Sequence, residues 1–256
     1  MRNVERAEQI LRHLETHERA TVAELSERYR VSEMTIRRDL DALRAQGRVQ
    51  RSHGAATLAP TPVAEPRYAA KQKVNAALKA RIARYAAEHL VDDGDILMLE
   101  GGTTVSAMVR HLRGRRDLTV VTNGLHTANE LSFLLPEVNV LSSGGLLRDV
   151  SFTYVGPQAE SFFEAFHGDK LFVSATGFTL ERGFTDPNPL EAAVRRRMVA
   201  AAGQVIALLD SSKFGEVSLV SVAAADEVDI LVTDSGAPSA DVRALRRLGV
   251  DVRLVG

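Results

Sequence analysis

The sequence predicts two unequal domains of different texture, a small helical unit closed by a hairpin and a larger parallel α/β unit of Rossmann-like type. Three observations carry this. Apolar residues recur at helical spacing in three short blocks up to Leu43. The stretch "TLAPTPVAEPRY" then places Pro60, Pro62 and Pro66 where neither a helix nor a central strand can persist. From Asp95 onward, short apolar runs bounded by turn residues alternate with helix-length intervals. A length of 256 residues fits two domains. The expected boundaries are 1–57 for the first domain, 58–70 for a linker and 71–256 for the second.

The first block puts Ala7, Ile10, Leu11 and Leu14 on one helical face, with Arg6, Arg12 and Glu15 elsewhere. The second, "TVAELSERY", opens on a capping box, Thr21 followed three residues later by Glu24, and buries Val22, Leu25 and Tyr29. The third starts at Ser32 as N-cap, carries Ile36, Leu40 and Leu43 inward and ends at Gly47. Only "RV" separates the second and third blocks before Ser32, which is helix-turn-helix spacing. Burying the apolar side of the third helix leaves Glu33, Thr35, Arg37, Arg38 and Asp41 outside, and paired arginines suit guanine edges in a major groove. The segment "RVQRSHGAA" reads as a small β-hairpin, a wing that brings Arg48, Arg51 and His53 to the backbone or the minor groove. The expected contacts to double-stranded operator DNA are therefore Ser32, Thr35, Arg37, Arg38, Arg48, Arg51 and His53. Residues 1–58 hold 11 Arg against 9 Asp and Glu, a net +2, and the rest holds 21 Lys and Arg against 24 Asp and Glu, a net −3. The asymmetry is small, and the clustering of Arg37, Arg38, Arg48 and Arg51 matters more. The competing reading is a three-helix dimerisation module whose arginines are solvated.

After the prolines, "KQKVNAALKARIARYAAEHL" forms a helix with Val74, Leu78, Ile82 and Tyr85 inward and its basic residues on a solvated face. The runs "ILML", "LTVVT", "VNVLS", "LFVSA", "QVIALLD", "DILVTD" and "VDVRLV" read as parallel strands with helices on both faces. Ligands of such sheets sit beyond the carboxyl ends of the strands. The candidates there are Glu100, Gly101, Gly102, Thr103 and Thr104, then Thr122 and Asn123, then Gly145 with Arg148, and Asp210 with Lys213. The stretch "ILMLEGGTTVSAMVRHL" has the form of an anion cradle, with glycine amides, two hydroxyls and the start of an amphipathic helix. Together these loops suit a phosphorylated, hydroxyl-rich ligand. No G-x-G-x-x-G opens the first helix and no G-x-x-x-x-G-K-[ST] occurs, which disfavours dinucleotide and P-loop sites.

Composition narrows the classes further. The net charge is −1 and cysteine is absent, which removes disulfides, thiolate catalysis and cysteine metal sites and fits a reducing cytoplasm. The opening "MRNVERAEQI" lacks the apolar core of a signal peptide, and no run approaches the roughly 18 apolar residues of a membrane span. A soluble cytoplasmic protein with no membrane partner, no cofactor and no metal is expected. His13 and His17 lie four apart without an evident third ligand and read as solvated. The run Arg195–Arg197 reads as an exposed helix face, with Arg195 near enough to approach the cleft.

"VSEMTIRRDLDALRAQGRVQRSHGAA" resembles the N-terminal domain of the DeoR family of bacterial transcriptional regulators, with Gly54-Ala55 where that family usually has Gly-Gly. The segments "EGGTT", "TNGL", "SSGGLLRDVSFTYVGPQAE", "DKLFVSATGF", "GFTDPNPLEAAVRRRMV" and "DSSKFG" resemble the C-terminal domain of the same family, so the resemblance covers nearly the whole chain. It implies that Arg37 and Arg38 engage DNA. It implies a second domain similar in fold to ribose-5-phosphate isomerase, serving as a sensor of sugar phosphates or related metabolites. Gly102, Thr103 and Thr104 match the phosphate loop, Arg148 the basic position after Gly-Gly, and Asp210 and Lys213 the "DSSKFG" motif. Glu100 stands where the family commonly has Asp, and Arg195 where Lys is usual. The function so implied is a repressor of carbohydrate catabolism or transport genes, a dimer or tetramer released from DNA by a phosphorylated sugar. The alternative is an enzyme, a sugar-phosphate isomerase using Glu100 or Asp210 for proton transfer, or an acyl (coenzyme A) transferase using Glu100 as nucleophile.

Overall fold

A computed structural model describes residues 3–17, 19–45, 49–52, 55–58 and 65–256. The chain divides into two compact units, Met1–Glu65 and Pro66–Gly256. The first contains α1 (Asn3–His17), β1 (Arg19–Thr21), α2 (Val22–Tyr29), α3 (Glu33–Ala45), β2 (Val49–Ser52) and β3 (Ala55–Leu58). Helical periodicity decides the helices, because Ile10, Leu11, Leu14, Leu25, Ile36, Leu40 and Leu43 meet in one core. The Thr21–Glu24 capping box forms in both directions, Glu24 N donating to Thr21 Oγ1 at 3.2 Å and Thr21 N to Glu24 Oε2 at 2.6 Å. Arg30 ends α2 in the left-handed region at φ 52°, turning the chain into α3. The expected hairpin is β2–β3, and β1, which three polar or small residues did not announce, adds a third antiparallel strand in the order β1-β3-β2. Arg6, expected off the buried face, is buried instead. Its guanidinium makes a two-pronged ion pair with Asp39 of α3 at 2.5 and 3.1 Å, tying the first helix to the third.

The second unit begins with α4 (Tyr68–Lys73) and α5 (Ala76–His89), so helix starts inside the stretch expected to be linker, and β3 ends on its first residue, Leu58. The single helix expected from Lys71 onward is broken at Val74 and Asn75. Asn75 adopts φ 53°, and Val74, expected inward, is exposed. There follow β4 (Ile96–Leu99), α6 (Thr103–Ser106), β5 (Leu118–Thr122), α7 (Leu125–Leu131), β6 (Val138–Ser142), the short pair β7 (Leu146–Leu147) and β8 (Tyr154–Val155), α8 (Pro157–Glu164) and β9 (Gly168–Val173). The chain continues through β10 (Gly177–Thr179), β11 (Gly183–Asp186), α9 (Pro189–Ala201), β12 (Ala202–Leu208), β13 (Val220–Ala223), β14 (Ile230–Asp234), α10 (Ser239–Arg247) and β15 (Asp251–Val255).

All seven apolar runs form one parallel sheet, in the order β15-β14-β12-β9-β4-β5-β6. Alternation along each strand splits the core into two layers. Leu97, Leu99, Phe172, Ile206 and Leu208 pack with Ile82, Ala86, Val105 and Leu131 from α5, α6 and α7. Met98, Leu171, Val205, Ala207 and Leu231 pack with Phe163, Val194, Met198 and Leu245 from α8, α9 and α10. The sheet is therefore covered on both faces, as the continuous apolar runs require. The order also sets where a ligand can enter. From β4 the chain moves one way to β5 and β6 and then returns to place β9 on β4's other side, so the topological switch lies between β4 and β9. No helix among the described residues is long and apolar enough to cross a membrane.

Candidate effector cavity and DNA-reading helix

The loops after β4, β9 and β12 open beside one another at the switch point and enclose a cavity of about 190 Å³. Gly102, Thr103 and Thr104 line it from β4, Ser174 and Thr176 from β9, and Asp210 and Lys213 from β12. Lys71 of α4 and Lys79 of α5 complete the wall with Asp186 and Arg195. Of the eleven expected ligand residues, Gly102, Thr103, Thr104, Asp210 and Lys213 thus come together. The helix after the glycines is a single turn, Thr103–Ser106, rather than the amphipathic helix expected, so its dipole is small and the positive charge of the site comes from lysines.

Lys79 is the residue that sequence reading missed most clearly, since it was expected on a solvated face and is 6 % exposed. Its Nζ donates to the Lys71 carbonyl at 2.5 Å. Burial pushes its ammonium below the ordinary lysine value, Asp210 acts against that, and Lys213 and Lys71 add to it. Asp210 is itself buried, and its Oδ1 accepts from Asn75 Nδ2 at 2.9 Å, Ser212 N at 3.1 Å and Ser212 Oγ at 2.5 Å. The left-handed break at Asn75 is what lets this amide reach across from the α4–α5 junction.

The other six candidates do not line the cavity, and for those after β5 and β6 sheet order is the reason. β5 and β6 lie on the far side of β4 from the cavity. Thr122 Oγ1 accepts from Gly124 N at 2.9 Å within the turn after β5, and Asn123 Oδ1 accepts from Gly101 N at 3.0 Å, which fastens the β4 and β5 loops to each other. A Cβ on Gly101 would stand 2.8 Å from the Gly124 Cα, which makes glycine necessary for that approach rather than for an anion. Gly145 sits at φ 109° under the Val155 carbonyl. Arg148 bonds Glu191 and, at 3.3 Å, Ser151.

Glu100 is fully buried and does not line the cavity. Arg195 Nη2 holds its Oε1 at 2.5 Å, and the Ser174 amide approaches its Oε2 at 3.4 Å. Arg195 also pairs with Asp186 and, at 3.5 Å, with Glu191, so of the run Arg195–Arg197 only the last two present an exposed face. The two positions at which the second domain departs from the family pattern are therefore partners in one ion pair. Glu100 is therefore held away from the cavity, which leaves Asp210 as the one carboxylate of the enzyme alternative that lines it.

In the first unit, Ser32 Oγ caps α3 by accepting from Thr35 N at 3.2 Å and lies 2.9 Å from Thr35 Oγ1. Arg37 and Arg38 are exposed on α3, with Arg37 Nη2 bound to Glu33 Oε2 at 3.0 Å. Arg51 belongs to β2, while its side chain, Arg48 and His53 lie outside the described residues. His13 and His17 stack on each other with ring centroids 4.2 Å apart.

The sequence matches the DeoR-like helix-turn-helix domain over residues 6–61 and the DeoR C terminal sensor domain over residues 74–235. The chain belongs to the DeoR family. A protein of Escherichia coli O157:H7 named for repression of the aga operon is 37 % identical over 98 % of this chain and 94 % of its own length. The transcriptional regulator GolR of Listeria innocua is 34 % identical over 98 % of both chains. The transcriptional repressor GlcR of Bacillus subtilis is 34 % identical over 97 % of this chain and 95 % of its own. Among solved structures, ribose 5-phosphate isomerase A of Methanocaldococcus jannaschii superposes with a TM-score of 0.41 at 16 % identity over 55 % of each chain. Membership in the DeoR family makes the chain a DNA-binding transcriptional regulator with a small-molecule sensor domain.

Proposed function

We propose that this DeoR-family regulator represses genes of carbohydrate catabolism or transport and is released from its operator by a small phosphorylated sugar held between Lys71, Lys79 and Lys213. The observation that carries this reading is the convergence of these three ammonium groups with Thr103, Thr104 and two acceptor-only carboxylates in one small cavity. Lysines at one end call for an anion. Asp210 calls for hydroxyl donors, and a sugar phosphate offers both an anion and hydroxyls. At about 190 Å³ the cavity is smaller than sites for drug-sized ligands, which favours a single metabolite over a nucleotide.

Release follows from chain order. Residues 1–57 bind DNA in this reading and residues 71–256 sense and assemble, with the effector acting at the first residues of the second unit. Pro66 and Lys71 line the cavity directly after the boundary between the units, so an anion that draws on Lys71 acts on the segment leading to the DNA-binding part. A dimer or tetramer on a two-fold operator gives such a shift its leverage, because half-site spacing must match. A thermal-shift screen of matched phosphorylated and free sugars tests the effector class. Phosphorylated members should raise the melting temperature and dissociate the operator complex. Stabilisation by free sugars alone would discard the anion reading.

A further inference from the structure

We infer that Met34 reads a thymine 5-methyl group in the operator, from the same ridge of α3 that presents Arg38. On α3, Ile36, Asp39, Leu40 and Leu43 are buried. At 100° per residue these four span one arc, and Met34 and Arg38 fall opposite its centre, one turn apart. Met34 is 73 % exposed, the one large apolar side chain left in solvent among the described residues of its unit. Its neighbours on the helix are otherwise engaged. Arg37 lies on the flank and is held by Glu33, while the hydroxyls of Ser32 and Thr35 cap the first turn. The surface that a major groove meets first is therefore a thioether and a guanidinium, with the Asp41 carboxylate exposed on the same face a turn further along.

These two groups answer different base edges. Arginine bonds guanine O6 and N7, and an apolar group meets the 5-methyl that marks thymine in the major groove. Side chains one turn apart are about 6 Å from each other at Cβ and base pairs rise about 3.4 Å, so the thymine lies within two steps of the base that Arg38 contacts. The flexible, polarisable thioether adapts to that contact without a fixed rotamer.

The test uses the full-length protein without effector and an operator selected from random duplexes. Each thymine is replaced in turn by deoxyuridine, which removes only the methyl group. One position per half-site should weaken wild-type binding about fourfold, as expected for one methyl-sized apolar contact. Met34→Ala should lose that sensitivity while keeping sequence-specific binding, and Met34→Leu should retain it. Three outcomes overturn the inference: indifference of the wild type to deoxyuridine at every position, unchanged sensitivity in Met34→Ala, or loss of all specific binding by Met34→Ala with a changed oligomeric state, which would make Met34 a contact between copies.

Discussion

Two charged clusters share the carboxyl edge of the β12-β9-β4 strands, and they are assembled on opposite terms. In one, the Arg195 guanidinium stands among Glu100, Asp186 and Glu191, each at most 2 % exposed, and Arg148 takes the remaining side of Glu191. In the other, Lys71, Lys79 and Lys213 face one cavity with Asp210, whose Oδ1 already serves Asn75 and Ser212. In the first cluster the cations face carboxylates of the protein's own. The second sets its lysines around a cavity that a ligand can enter. Charged residues of the same loops thus divide into scaffold and site by their partners and not by residue type.

The largest expected effect comes from breaking the first cluster. Arg195→Met removes the cation common to three buried carboxylates and should destabilise the fold by about 3–5 kcal/mol at neutral pH. The carboxylates would be left buried without their shared cation, which is where the cost arises. Denaturant unfolding at neutral pH should show that gap to wild type, and Arg195→Lys, which keeps a cation there, should show a smaller one. An equal gap for the two variants would mean that the packing and geometry of the guanidinium, and not its charge, carry the cost.

Breaking the second cluster should do the reverse, costing affinity and sparing the fold. Thr103→Ala with Lys213→Ala removes a hydroxyl and a cation from the cavity wall without touching Arg195. Effector affinity should fall roughly a hundredfold, from the loss of two contacts to a charged ligand at about 1.5 kcal/mol or more each. Operator affinity without effector should remain, and so should the melting temperature within a few degrees. Undiminished release of DNA by the effector in this double variant would remove the cavity from the mechanism.

This division was only partly legible in the sequence. The seven strands were, because each is buried on both faces and reads as an unbroken apolar run. The short antiparallel pieces β7, β8, β10, β11 and β13 were not, being two to four residues long and set by neighbours rather than by pattern. The candidate loops were legible as loops, but a sequence does not state strand order, and strand order separates Thr122, Asn123 and Arg148 from Thr103 and Lys213. Lys79 was hidden for another reason. A lysine on an amphipathic helix ordinarily faces water, and only the break at Asn75 turns this one into the cavity. Glu100 and Arg195 were each visible as departures from the family pattern, and only folding brings the two together.

Lys79 also supplies the subtlest test, because it belongs to the site yet is buried like the scaffold. Its ammonium is held below the ordinary value of 10.5 by burial first, with Lys213 and Lys71 adding to the effect. An anion in the cavity would push it back up. Between the lowered value of the free protein and the raised value of the complex, binding must then take up a proton, and effector affinity falls as pH rises through that window. A sugar phosphate stays dianionic above about pH 7, so its own titration does not produce this slope. In the free protein the sign for stability is opposite to that for binding. The unfolded chain keeps the Lys79 proton up to about 10.5 while the folded chain sheds it earlier, so this residue's burial penalty is present at low pH and is relieved as pH rises. Lys79→Met deletes both effects. It gives up the hydrogen bond to the Lys71 carbonyl, about 1 kcal/mol, but also the buried charge, and its melting temperature at neutral pH should equal or exceed that of wild type. Effector affinity should drop about tenfold, and titration calorimetry in two buffers of different ionisation enthalpy should show proton uptake in wild type and none in the variant. Equal proton uptake in both proteins would assign the titrating group to another residue and leave Lys79 as part of the wall only.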